Sequence, residues 1–98
     1  MKKEAKEAFK LAKAANLKIK TQFDLSQIEQ RLMFGIIERA ILDLVDIKLD
    51  RHEINSAKSF LSQADIPQAS VCDVDSDWIR LVLSKAGLDI HPYFLEAA

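Results

Sequence analysis

Apolar residues recur along this chain every three to four positions rather than every second one, and the pattern divides it into helices. Over 2–17 (KKEAKEAFKLAKAANL) the residues Ala5, Ala8, Phe9, Ala12 and Ala15 form a narrow stripe in a run of strong helix formers. Glu4 and Glu7 lie in the first turns, where they favour the helix dipole. Asn16 is the expected stop, and KIKTQ (18–22) alternates briefly, as an extended segment would. Ala-rich stripes bury little area, so this helix is expected to pack weakly on the body.

The longest pattern spans 24–47. Asp24 suits an N-cap, with Gln27 at the capping-box position and Phe23 and Ile28 spaced as a hydrophobic staple. Its apolar residues cover more than one face, so the helix is expected to be buried on several sides, as the centre of a bundle or as a dimer interface. Gly35 costs about 1 kcal/mol relative to Ala. It either marks the close approach of another helix or is a tolerated weak point. A second capping box, Asp50 with Glu53, opens a helix over 50–65 with Ile54, Ala57, Phe60, Leu61 and Ala64 on one stripe. Pro67 forces a break near 65–66 and suits the first position of a short helix over 67–72. The last helix, 76–86, carries Ile79, Val82, Leu83 and Ala86 with Trp78 beside them. Gly87 is its C-cap and Leu88 the apolar residue that follows such a cap. Ile90, Tyr93, Phe94 and Leu95 suggest that the tail docks on the body. No strand pattern and no internal repeat competes. The expected fold is a compact all-α domain over 1–98. It has four or five helices, a long central helix, and a helix-turn-helix-like pair near the C-terminus.

Length and composition agree with this. The 98 residues suffice for one domain, and 49% apolar with 30% charged residues is ordinary for a globular chain. One cysteine leaves no internal disulfide and no zinc site built on two thiolates. No apolar run approaches a membrane span and no signal-peptide pattern is visible, so a cytoplasmic protein is expected. Charge is unevenly placed. Residues 1–20 hold seven Lys against two Glu, while 21–98 hold seven Lys and Arg against thirteen Asp and Glu. The basic end is either a solvated helix or an arm for nucleic acid or an acidic partner, through Lys2, Lys3, Lys6, Lys10 and Lys13.

The stretch QASVCDVDSDWIRLVL (68–83) resembles the bacterial helix-turn-helix core. Ala69 stands at the small position against the first helix, Asp73 at the turn, and Val74, Ile79 and Val82 at the seats of the second helix. The turn residue in that motif often has positive φ, which Gly meets best and Asp tolerates. The resemblance implies that Asp75, Ser76, Asp77, Arg80 and Leu81 would face a major groove. Two carboxylates there oppose a polyanion, so the acidic turn, with Asp75, Ser76, Asp77, Trp78 and Arg80, fits a protein partner better. From Glu38 to Leu88 (ERAILDL, AKSFLSQADI, DWIRLVLSKAGL) the chain is also similar to small uncharacterised helical proteins of phage and prophage genomes. They join a short helix ending in Cys to an acidic turn and a Trp-Ile/Val-Arg helix. Asp73 stands here where those proteins have Gly. This resemblance implies a phage or mobile-element accessory protein rather than an activity.

The residues offer no catalytic set, no metal site and no cofactor. Asp73, Asp75 and Asp77 spell D-x-D-x-D. Trp78 stands where a calcium loop needs Gly, and Ser84 where it needs a bidentate acid, so the three read as turn and capping residues, Asp75 being the N-cap. His52 and His91 have no ligand partner at metal spacing. Cys72, beside Val71 and Val74, reads as a small core residue whose acidic neighbours disfavour a thiolate. With two glycines in the chain there is no phosphate loop. Three expectations follow. The first is a non-enzymatic regulatory protein binding a protein partner. The second is homodimerisation through 24–47. The third, alternative to the first, is a DNA-binding regulator using 67–87 and the basic arm.

Overall fold

The structure, a computed structural model, describes the backbone from Lys3 to Pro92 and the side chains from Ala5 to Pro92. Among these residues the chain forms five helices and no strand. Helix α1 spans Lys3–Lys20, four residues beyond the stop expected at Asn16, and takes in most of the segment expected to be extended. The reason is tertiary. Asn16 turns inward and donates from Nδ2 to Glu38 Oε2 at 2.8 Å. Its side chain therefore does not compete for its own backbone. Ile19, fully buried, then carries the stripe of Ala12 and Ala15 one turn further. Phe9 falls off that stripe and is 47% exposed, with the Lys13 ammonium 5.4 Å from its ring centre.

Helix α2 (Ile28–Asp43) is shorter at both ends than the expected 24–47. Asp24 is not its N-cap. The Asp24 carboxylate accepts from the Ser26 N–H (3.1 Å) and hydroxyl (2.6 Å), closing a local turn instead. Those two bonds hold the Asp24 carboxyl below its usual range. The helix starts after Gln27, and Gln30, not Gln27, reaches back to the Asp24 N–H at 2.8 Å. The staple does not form either. Phe23 is buried against Phe34 (ring centres 5.4 Å apart), whereas Ile28 points to solvent. After Asp43 the chain turns, and Asp46 Oδ1 accepts the Lys48 N–H at 2.9 Å.

Helix α3 (Arg51–Leu61) opens as expected, Asp50 accepting the Glu53 N–H at 2.9 Å. It ends before Ala64, which is exposed. Helix α4 is the four residues Pro67–Ser70, and α5 spans Ser76–Lys85. Asp75 caps α5, accepting from the Asp77 N–H at 2.9 Å. Both α4 and α5 close with one hydrogen-bond pattern. Val74 N–H reaches Ala69 O (2.9 Å) past Asp73 at φ +58°, and Leu88 N–H reaches Leu83 O (3.1 Å) past Gly87 at φ +84°. Each is a Schellman closure: a left-handed residue, then an apolar one that folds back onto the helix.

Helix α2 packs against α1, α3 and α4, and α1 also meets α5. Ile19, Ile37, Ile41, Leu61, Ile66, Ile79 and Leu83 are fully buried. Each contributes about 1.5–3 kcal/mol of transfer free energy. The radius of gyration, 13.5 Å, is that of a compact chain of this length. Beyond α5, Ile90 is buried and Asp89 pairs with the nearly buried Lys58 (3.3 Å). Lys2 and the tail residues Tyr93, Phe94 and Leu95, with the docking expected of them, lie outside the described residues. So does the side chain of Lys3.

Candidate interaction surfaces

The helix-turn-helix-like segment forms as a unit. Ala69, Val74, Ile79 and Val82 are buried, and Asp73 takes the left-handed turn conformation. The first helix of the pair is a single turn.

The five residues expected at the partner surface divide into two groups. Ser76 is buried, and its hydroxyl accepts the Ile66 N–H at 2.9 Å, so it caps the start of α4 from the first position of α5. The guanidinium of Arg80 donates to the carbonyls of Gln63 and Ala64 and to Asp77 Oδ1, tying α5 to the chain that leaves α3. Only 21% of the Arg80 side chain is exposed. These two side chains serve the scaffold. Asp75 and Asp77 remain exposed, and Trp78 is half-buried against the core.

Helix α2 carries a further exposed surface, which the sequence placed only within a helix buried on several sides. On α2, Ile28, Leu32 and Ile36 are 65%, 61% and 45% exposed. Their spacing of four puts them in one row on the face opposite the buried Phe34, Ile37 and Ile41. Val71, at the end of α4, is also uncovered. Glu29 of α2 is close enough to act on the Cys72 thiol. Burial, then Asp73 and Glu29, push that thiol above its usual value. Helix α2 packs on α4, which leads into the 71–73 turn. The signal was present in the excess of apolar positions on 24–47. What was missing was which face the other helices leave bare.

The basic face of α1 carries Lys6, Lys10 and Lys13, all exposed. Lys6 and Lys10 line an open groove of about 620 Å³ between α1 and the end of α2. A second hollow, about 440 Å³, lies between α5 and residues 88–91 and exposes Leu81. Among the described residues no three His, Cys, Asp or Glu side chains gather as a metal group, and no helix is long and apolar enough to cross a membrane. His52 sits exposed in α3, and His91 lies beside Asp89. The His91 N–H, and then Lys58, hold the Asp89 carboxyl below its usual range.

No family model, no curated protein and no solved structure matches the chain. What the fold defines is a class: a compact all-α globule of five helices among the described residues.

Proposed function

We propose that the chain is a non-enzymatic interaction and regulatory protein, encoded by a phage or mobile element, that binds a protein partner through the α2 row and the acidic turn. The observation that carries this reading is the uncovered row Ile28, Leu32 and Ile36. Scattered single aliphatics are ordinary on a surface, but a row on one helix face is the pattern of a helix laid against another protein. Glu29 on the same helix and the acidic residues of the turn, Asp73, Asp75 and Asp77, all exposed, favour a partner that carries basic as well as apolar residues. The phage or mobile-element part of the proposal rests on the resemblance of Glu38–Leu88 to small prophage proteins.

The second reading, a DNA-binding regulator, is favoured by the formed helix-turn-helix core and by the lysines of α1. Against it stand Arg80 and Ser76, both held in the scaffold, and the carboxylates at the start of α5.

The deciding experiment pairs affinity capture from a host extract with duplex binding by fluorescence anisotropy across salt. A protein retained by the wild-type chain and lost with Leu32→Glu, or with Asp75→Asn, supports the protein-partner reading. The asparagine keeps the helix cap while removing charge, and Asp77 is left in place because it pairs with Arg80. Micromolar duplex binding that weakens steeply with salt would replace it with the DNA reading.

A further inference from the structure

The hollow of about 440 Å³ beside α5 has Leu81 on the helix side and Leu88, Ile90 and His91 on the side of the chain that follows the helix. Leu88 and Ile90 are buried, while Leu81 is 50% exposed. The ionic groups around it already have partners. Arg80 donates to Asp77 and to the carbonyls of Gln63 and Ala64, and His91 lies beside Asp89. The hollow therefore suits an apolar side chain better than a charged one. His91, on its wall, is followed by Pro92, half-buried and the last described residue, and then in the sequence by Tyr93, Phe94 and Leu95.

We propose that this hollow is the seat of the chain's own tail, with Phe94 packed against Leu81, so that the tail forms a strap over this face of α5. Reach and tethering select the occupant. Proline presets φ for the second position of a β-turn, and the first and last Cα atoms of such a turn lie within about 7 Å of each other. With Pro92 in that position, a turn over 91–94 brings Phe94 back to His91, itself on the wall of the hollow. A segment joined by so short a link acts at an effective concentration of about millimolar. A second copy of the chain or another protein at micromolar concentration must displace it, and must also lose translational freedom that the tail has already lost. Tyr93, Phe94 and Leu95 are three consecutive apolar residues, and an aromatic ring gains most from cover. A seated tail also covers Leu81 and Arg80, two of the residues that the helix-turn-helix resemblance turns towards a major groove. The α2 row takes no part, so the inference stands apart from the partner reading.

The test uses the full chain with isotope-labelled leucine methyl groups. Nuclear Overhauser contacts are expected between the Phe94 ring and the Leu81 methyls, with the same relative strength at low and high protein concentration. Phe94→Ala removes the ring current and is expected to move the Leu81 methyl resonances to the positions of an unstructured leucine. Leu81 lies outside the buried core, and an unchanged amide pattern over α1–α3 verifies that each variant is folded. A second readout is stability in urea. Leu81→Ala and Phe94→Ala are each expected to lower the midpoint, and the double variant to lose less than the sum of the two, because one contact cannot be lost twice. Leu81 methyls unmoved by Phe94→Ala, strictly additive losses in urea, or ring contacts to other surfaces alone would overturn the proposal. Contacts that strengthen with protein concentration would overturn it too, by assigning the hollow to a second copy.

Discussion

Ser76 and Cys72 each take their role from neighbours on a different element. The Ser76 hydroxyl is the acceptor for a buried N–H ten residues earlier in the chain, at the start of α4. Removing it leaves the Ile66 N–H without a partner away from water, so Ser76→Ala is expected to destabilise the fold by about 1–3 kcal/mol, read as a lower urea midpoint with an unchanged slope. A variant as stable as wild type would show that water replaces the hydroxyl. No local pattern reports this bond, because the first turn of a helix after a turn reads as solvent-facing. Arg80 is the same case: the carbonyls it grips belong to the chain that follows α3. Cys72 is different. Its neighbours Val71, Asp73 and Val74 do indicate a quiet thiol, and the structure adds burial and Glu29 as causes of the upward shift. Labelling by an aromatic disulfide at pH 8 is therefore expected to be slower than for an unstructured thiol and to reach that rate only after unfolding. Since the folded state favours the neutral thiol, this residue's contribution to stability is whole below the unfolded pKa of about 8.5 and declines as pH rises above it. Labelling as fast as a free thiol at pH 8 would contradict the shift.

At the scale of elements, what could be read in advance were the features held within one turn of chain. Asp50, Asp75, Asp73 and Gly87 cap or close their helices at the expected places because both partners of each bond lie within five residues. The ends of α1 and α2 could not be read, because each depends on a choice between local and distant partners. Asp24 finds Ser26, while Asn16 finds Glu38. The two glycines separate the same issues. Gly87 sits at φ +84°. Gly87→Ala forces an L side chain into the left-handed region and is expected to cost about 1 kcal/mol or more. Gly35 has ordinary helical geometry, and an added Cβ would meet nothing within 4 Å. Gly35→Ala is therefore expected to stabilise by about 0.5–1 kcal/mol through the unfolded chain and helix propensity. Thermal melts of the two variants should move in opposite directions. If Gly35→Ala lowers the midpoint instead, α2 has a constraint at this position that its own chain does not supply.

At the scale of the whole molecule, the uneven charge along the sequence is divided between elements, with exposed lysines on α1 and exposed carboxylates at the start of α5. The basic face was legible from the lysine count of 1–20, and the acidic turn from 73–77. The exposed aliphatic surface of α2 was not, since burial depends on how the helices share one core. The same geometry bears on self-association. Ile28, Leu32 and Ile36 offer a continuous row, and Gly35 lies beside Ile36 on the outer face of α2 with open space above it. Two copies could pack these faces together. Yet three partly exposed aliphatic side chains supply only a fraction of the about 800 Å² per partner that a stable interface buries. Association costs of several kcal/mol must also be met before any net affinity appears. A homodimer through α2 is therefore expected only at concentrations of about 100 μM or above. Sedimentation equilibrium should give the monomer mass at ten-fold lower concentration, with an upward drift at the top of the range that Leu32→Glu abolishes. Charge on the row also removes partner capture, so the two effects of that substitution are linked through one surface. A tight dimer insensitive to Leu32→Glu would place the self-association elsewhere, and would free the α2 row for the partner alone.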